Sequence, residues 1–278
     1  DNRTKLVGEG KPEAGKIEID YKLDGLELDK KNYPEEKNKL HIFKIDEKIS
    51  EEAATCIRSK APDLMWVYLW YTDCAGHMYG NSSTFDHYTE LADRQVGRIW
   101  EAVKYRQQNF GEEWMIVVTT DHGRAENGKG HGGQTERERT TWISTNVVLN
   151  EYFSRHQPAI VDITPSVCRF LDLTVPRDLQ YEQEGTPFTG KVSISNVRAK
   201  KEANRIVIEW DNYDDSPVEI FLSTTNNFKD GKPDNWEKVG KVSAAKKQFR
   251  FDCSGTDTFF LKFSLRGKNN MLPVWVKD

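Results

Sequence analysis

Two apolar runs and one long amphipathic stripe organise the first two-thirds of the chain. Residues 64–71 (LMWVYLWY) are apolar on both faces, as expected of a strand buried on both sides of a parallel sheet. Residues 114–120 (WMIVVTT) repeat the pattern. Between them, Phe85, Tyr88, Leu91, Ala92, Val96, Ile99 and Val103 recur every three or four positions. That spacing predicts an amphipathic helix over 84–109, ended by Gly111. Strand, helix and strand with short joints predict a βαβ crossover and a parallel sheet.

The flanking segments are less regular. Residues 1–48 are rich in Lys, Asp, Glu and Gly, with short extended pieces expected at 16–20 and 40–44. Ser50, followed by Glu51 and Glu52, predicts a helix start, with the helix running to about Ser59 before Pro62. A further strand is expected over 140–149. Asp162-Ile-Thr-Pro165 predicts another helix start, with Val167, Phe170 and Leu171 inward. Composition then changes at 185–190 (GTPFTG). Beyond it, alternating runs at 192–197, 205–210, 218–223, 248–252, 258–265 and 274–276 predict a β-sandwich. Ile206, Ile208 and Trp210 share one face of the second run, Val207 and Glu209 the other. The expected organisation is an α/β domain over 1–188 and a small all-β domain over 189–278.

Composition narrows the partners. Of 278 residues 37% are hydrophobic, including 8 Trp, 10 Tyr and 13 Phe, enough to fill cores. Both charge signs are mixed to a net −4, with no long basic stretch, so a phosphate-neutralising nucleic-acid surface is not expected. No apolar run approaches the ~18 residues that suggest a membrane span. The polar opening DNRTKLVGEG is unlike a signal peptide and reads as the start of a mature or truncated product. The 4 cysteines (Cys56, Cys74, Cys168, Cys253) lie far apart, against a disulfide framework or a cysteine zinc site.

The chemistry lies where the apolar runs end. Residues 64–71 lead into Asp73-Cys-Ala-Gly-His77, and 114–120 into Asp121-His122-Gly123; His131 follows in the glycine-rich GKGHGG. Carboxyl ends of strands line the ligand crevice of open α/β sheets. The four-residue spacing lets Asp73 and His77 turn toward one ion. A bend at Gly123 lets Asp121 and His122 converge, and glycines let the His131 loop come close. Two carboxylates and three imidazoles are a ligand set for two divalent metals of the zinc type. Each motif alone is ordinary turn chemistry; their joint placement carries the reading. His41, His87 and His156 have no such setting, and Cys74, beside Asp73, is expected to pack or face the site rather than serve as a soft ligand. Arg124, Arg137 and Arg139 flank the cluster and suit phosphate or plain solvation equally.

These residues resemble the alkaline phosphatase superfamily, in particular its type I phosphodiesterase/nucleotide pyrophosphatase branch. The likeness rests on D-x-x-x-H at Asp73 and His77, T-D-H-G at 120–123, the H-G at His131 and the 161–173 segment VDITPSVCRFLDL. It covers about residues 1–188. The resemblance implies a metal-dependent phosphoric ester hydrolase, with Asp73, His77 and His131 on one zinc and Asp121 with His122 on the other. The short gap to His131 is more like the phosphopentomutase arrangement. The family's nucleophilic Ser or Thr and the strand before it have no counterpart here, so the nucleophile is expected outside this chain and the chain by itself is expected to be nearly inactive. The resemblance further implies a phosphate-ester substrate and a secreted, periplasmic or cell-surface location. The 189–278 pattern resembles a fibronectin III or immunoglobulin-like module, suited to glycan or protein contact. A phosphomutase, a sulfatase-like enzyme and a non-catalytic relative are the alternatives.

Overall fold

The structure, a computed structural model, describes residues 19–254 and 260–276. The chain divides into two compact units: residues up to Glu112 with Glu126–Gly130, and Glu113–Ala125 with His131–Asp278. It is a mixed helix-and-sheet fold.

In the first unit, α1 (Leu40–Lys60) packs along α3 (Ser83–Phe110), with the short α2 (Tyr71–Tyr79) against both. The core joins Ile42 and Ile45 of α1 to Tyr71, Cys74 and Ala75 of α2. Helix α3 matches the expected stripe. Ser82 caps it by accepting from the Phe85 N–H at 3.3 Å, and Gly111 ends it at φ +66°. Helix α1 corrects two readings. Residues 40–44 are helical rather than extended, and Ser50 is not a start but a buried mid-helix residue. The reason is tertiary: the Ser50 hydroxyl accepts from the Arg98 guanidinium at 2.6 Å, and Arg98 also pairs with Glu47.

Segment 64–70 forms neither helix nor strand and joins no ladder among the described residues. Its alternate side chains Leu64, Trp66, Tyr68 and Trp70 are exposed. The expected strand does not continue to Asp73, because a helix begins at Tyr71. Asp46 of α1 causes this: its Oδ2 accepts the N–H groups of Trp70 (2.9 Å) and Tyr71 (2.6 Å), supplying the partners a helix start lacks.

In the second unit, β1 (Val117–Thr119) pairs with β2 (Ile143–Thr145), and the pairing is antiparallel. The expected parallel crossover is therefore absent among the described residues, where every strand pairing is antiparallel. Both strands are shorter than their apolar runs. Asn146 closes the pair, accepting from the Ile116 N–H and donating to the Trp114 carbonyl, each at 2.8 Å.

Short helices α4 (Glu136–Arg139), α5 (Glu151–Arg155), α6 (Ile163–Phe170) and α7 (Arg177–Gln180) follow. Asp162, at the start of α6 as expected, is buried. It accepts from Tyr152 Oη (2.8 Å) and the Ala159 and Thr186 N–H groups (2.7 Å each). Arg169 of α6 donates to the carbonyls of Thr189, Lys191 and Asn269, tying this segment to the β-strands beyond.

Two antiparallel sheets follow, ordered β3-β4-β7 and β6-β5-β8-β9. Their strands are β3 (Ile194–Glu202), β4 (Arg205–Asn212), β5 (Pro217–Ser223), β6 (Glu237–Ser243), β7 (Gln248–Asp252), β8 (Lys262–Arg266) and β9 (Met271–Trp275). One core joins both sheets. Ile206, Ile208 and Trp210 of β4 meet Val218, Ile220, Phe263 and Leu265 there, and the Trp210 indole N–H donates to the Ala244 carbonyl at 2.9 Å. The alternation of β4 thus falls as expected, although Val207 is buried as well. Strand β6 lies where the sequence pattern predicts none. The expected pieces at 16–20 and 258–265 lie partly outside the described residues. Cys56, Cys74, Cys168 and Cys253 are free thiols.

Candidate metal centre

Each unit carries its own set of candidate ligands. In the first, Asp73 and His77 sit one turn apart on α2, with Asp73 Oδ1 3.5 Å from His77 Nε2. Helical spacing places i and i+4 side chains on one face, so one turn of α2 sets the two side chains beside one another. Cys74 points the other way and is buried in the core, as expected of a packing residue. Beyond α2, Gly80 adopts φ +58°, and a Cβ there would meet the Asn127 carbonyl at 2.5 Å. Asn81 completes the turn, donating from Nδ2 to the Glu126 carbonyl at 2.7 Å. Segment 126–130 is thereby fixed to the end of the helix that carries Asp73 and His77.

In the second unit, Asp121 and His122 follow β1, with Asp121 Oδ1 3.6 Å from His122 Nε2. The His131 ring stacks on that of His122, centroids 3.9 Å apart and planes inclined 20°. Three of the five expected ligands are therefore neighbours within this unit. Gly123 makes the bend: its N–H donates to the Glu138 carbonyl at 2.8 Å, and a Cβ would lie 2.0 Å from the Arg137 carbonyl oxygen. No other residue fits so close a backbone approach.

The donor set suits a cation. His122 Nδ1 lies 2.8 Å from the Gly123 carbonyl oxygen, which can only accept, so this nitrogen carries the hydrogen. In the neutral ring Nε2 then holds a lone pair, facing a carboxylate oxygen. Two acceptors facing one another are satisfied by a proton or by a metal ion. Orienting an imidazole through its other nitrogen to a carbonyl is what metal sites commonly do.

Glu138 is a residue that the sequence reading misses. Its carboxylate accepts from the Gly133 N–H (3.0 Å) and the Thr135 hydroxyl (2.6 Å), bracing the loop just after His131. The Thr135 bond foremost, with the Gly133 N–H, holds this carboxyl below the usual range. The Thr135-x-x-Glu138 spacing is the signal that could have found it. Arg137 is engaged within the protein: its Nε donates to the Arg124 carbonyl at 3.2 Å. His156, expected to be no ligand, bonds Asn196 at 2.8 Å. His41 is buried in α1 and accepts from the Glu36 N–H.

Comparison with known proteins identifies the family. The family model described as "Type I phosphodiesterase / nucleotide pyrophosphatase" matches residues 19–212. The chain belongs to this family, a group of phosphoryl-transfer proteins within the alkaline phosphatase superfamily. It is similar to a 2,3-bisphosphoglycerate-independent phosphoglycerate mutase of Mycoplasma mycoides subsp. mycoides SC, 24% identical over 52% of this chain and 26% of the mutase. It is also similar to GPI ethanolamine phosphate transferase 2 of Schizosaccharomyces pombe, 26% identical over 41% of this chain and 17% of the transferase. The chain thus spans about a quarter or less of the length of these curated relatives. A pectate lyase, Pel3 of Pectobacterium carotovorum, overlaps 30% of this chain and 26% of its own at 14% identity and a TM-score of 0.22. A likeness that slight bears on neither fold nor function.

Proposed function

We propose that this chain carries metal-binding motifs of a phosphoric ester hydrolase, with Asp73, His77 and His131 holding one divalent ion and Asp121 with His122 the other. Zinc is the metal this mixed imidazole and carboxylate set favours. The observation that carries the reading is the pair of facing Asp–His couples, at 3.5 and 3.6 Å, within the family's matched segment. Two such ions, when bound, stabilise both the entering and the leaving oxygens of an in-line displacement at phosphorus. The residues of this chain would supply orientation: Gly123 sets the bend, the Gly123 carbonyl fixes the His122 tautomer, and Glu138 holds the His131 loop. Arg124 and Arg137 would contact the phosphate.

The nucleophile belongs, on this reading, to residues outside these 278. The exposed alternation of segment 64–70 suits a strand of a parallel sheet whose neighbour lies outside the described residues. Residues 189–278 would form an appended fibronectin III-like module for glycan or protein contact. The location would be secreted, periplasmic or cell-surface; no described helix is long and apolar enough to cross a membrane. Transfer to an acceptor other than water is the second reading, favoured by the names of the relatives, a mutase and a transferase.

Zinc titration of the chain is the test. The wild type should bind zinc, and Asp121→Ala should lose the equivalent held with His122. Equal binding by the wild type and an Asp73→Ala/Asp121→Ala double variant would refute the assignment. Robust metal-dependent turnover of bis-p-nitrophenyl phosphate by the chain alone would refute the external nucleophile.

A further inference from the structure

Lys262 opens β8, and its neighbour Phe263 points into the β-sheet core. Alternation sends Lys262 to the opposite face of the sheet. There its ammonium is not solvated. The Lys262 side chain is 1% exposed, and its partners Glu182 and Asp234 are 5% and 0% exposed. Nζ lies 2.6 and 2.8 Å from the two carboxylate oxygens of Glu182 and 2.5 Å from Asp234 Oδ2. Trp236 presents its ring 5.0 Å from Nζ and stacks on Tyr181 at 4.6 Å, which in turn meets the edge of Phe221. One ammonium between two carboxylates leaves an excess negative charge beside aromatic rings, a costly arrangement for ions.

The two carboxylates are held differently. Asp234 Oδ1 accepts from the Thr225 hydroxyl (2.8 Å) and the Asn227 N–H (2.6 Å), so only Oδ2 faces the amine. Both oxygens of Glu182 face Nζ. Asp234 is thus presented as an electrophile with two donors on the oxygen where negative charge would develop. Glu182 is placed to carry a proton, and burial pushes its carboxyl upward, toward the protonated form.

We propose that Lys262 and Asp234 condense to an intramolecular amide, with Glu182 as the proton carrier. Glu182 takes a proton from Nζ and passes it to Asp234 Oδ2, so that Asp234 becomes the neutral acid, and the amine lone pair attacks Asp234 Cγ. The new N–C bond forms as negative charge gathers on Oδ1 under the Thr225 and Asn227 donors. The Cγ–Oδ2 bond then breaks, and Oδ2 leaves as water. Its two hydrogens come from the ammonium, one of them relayed through Glu182, which is regenerated. Ammonium and carboxylate become amide and water, with no oxidant or co-reactant. Fixed contact in a wall of aromatic rings supplies the proximity such a reaction needs, and the product removes two buried charges.

Intact mass of the denatured chain, with a tryptic map, tests this. The wild type should weigh one water less than its sequence and yield a joined peptide linking the Asp234 and Lys262 segments. Asp234→Ala and Lys262→Ala should each have the full sequence mass. Asp234→Asn should lose one ammonia, because an amide can serve as the electrophile. Glu182→Gln should slow or abolish the loss. A wild type at full mass after prolonged incubation overturns the proposal, as does a loss of water without the joined peptide. The wild-type result decides even if a variant fails to fold.

Discussion

Both the Asp–His couples and the Lys262 cluster set chargeable groups against one another, in opposite surroundings. Asp121 is 73% exposed at its side chain, with His122 Nε2 3.6 Å from its carboxylate. At Lys262 the three charged side chains are nearly sealed from water, and both carboxylates contact its ammonium. Exposed acceptors are solvated at little cost and remain available to a ligand. Buried charges must be paired within the protein, because an uncompensated charge there is strongly destabilising. The first arrangement suits binding, the second suits cohesion or reaction between its own members.

The comparison can be broken at either end. Lys262→Met should have the largest effect, since it leaves the Glu182 and Asp234 carboxylates buried without a partner and removes the proposed cross-link as well: a loss of at least about 3–5 kcal/mol in denaturant unfolding. The same removal of one partner at Asp121 should leave stability almost unchanged, within about 0.5 kcal/mol, while lowering zinc affinity.

Asp46 lies between these extremes, a buried carboxylate serving the helix that carries Asp73 and His77. Burial, set against its bonds to the Tyr71 and Trp70 N–H groups, pushes its carboxyl from 3.8 to about 6. The folded state therefore binds the proton more tightly than the unfolded chain does. Its contribution should favour folding below 3.8 and be lost as pH rises through about 6. Asp46→Asn keeps an oxygen for the two N–H groups and should remove that slope, worth about 2–3 kcal/mol between its ends. Urea unfolding from pH 4 to 7 reads it; an unchanged slope refutes the assignment to Asp46.

The smallest effect should come from Glu138→Ala, which frees the His131 loop without touching a ligand. A loss of about tenfold in zinc affinity is expected, at the low end of what outer-shell partners contribute. Isothermal titration would measure it, and Asp73→Ala should exceed it.

Much of this is legible in the chain. Helix α3 is marked by its stripe, by Ser82 and by Gly111, all local signals. The five candidate ligands stand out because their residue types and spacings are chemical demands. Strand β6 is hidden: Glu237–Ser243 (EKVGKVS) is an edge strand with few apolar positions, and its Gly240 leaves room for the Phe249 ring, which a Cβ would meet at 2.6 Å. The start of α1 is also hidden, because it is entered through left-handed Asn38 and Lys39 rather than a side-chain cap.

The sequence by itself determined the alternation of the C-terminal strands, the amphipathic face of α3, the family and the donor chemistry of the aspartates and histidines. These are local or compositional properties, readable within a few residues. Only the tertiary structure decided that a helix begins at Tyr71, since the carboxylate receiving its N–H groups comes from Asp46, and that Ser50 lies mid-helix under Arg98. It alone brought Lys262 to Asp234 and Glu182, 28 and 80 residues away. A buried charge draws partners from wherever the fold can supply them, and no local spacing records that choice.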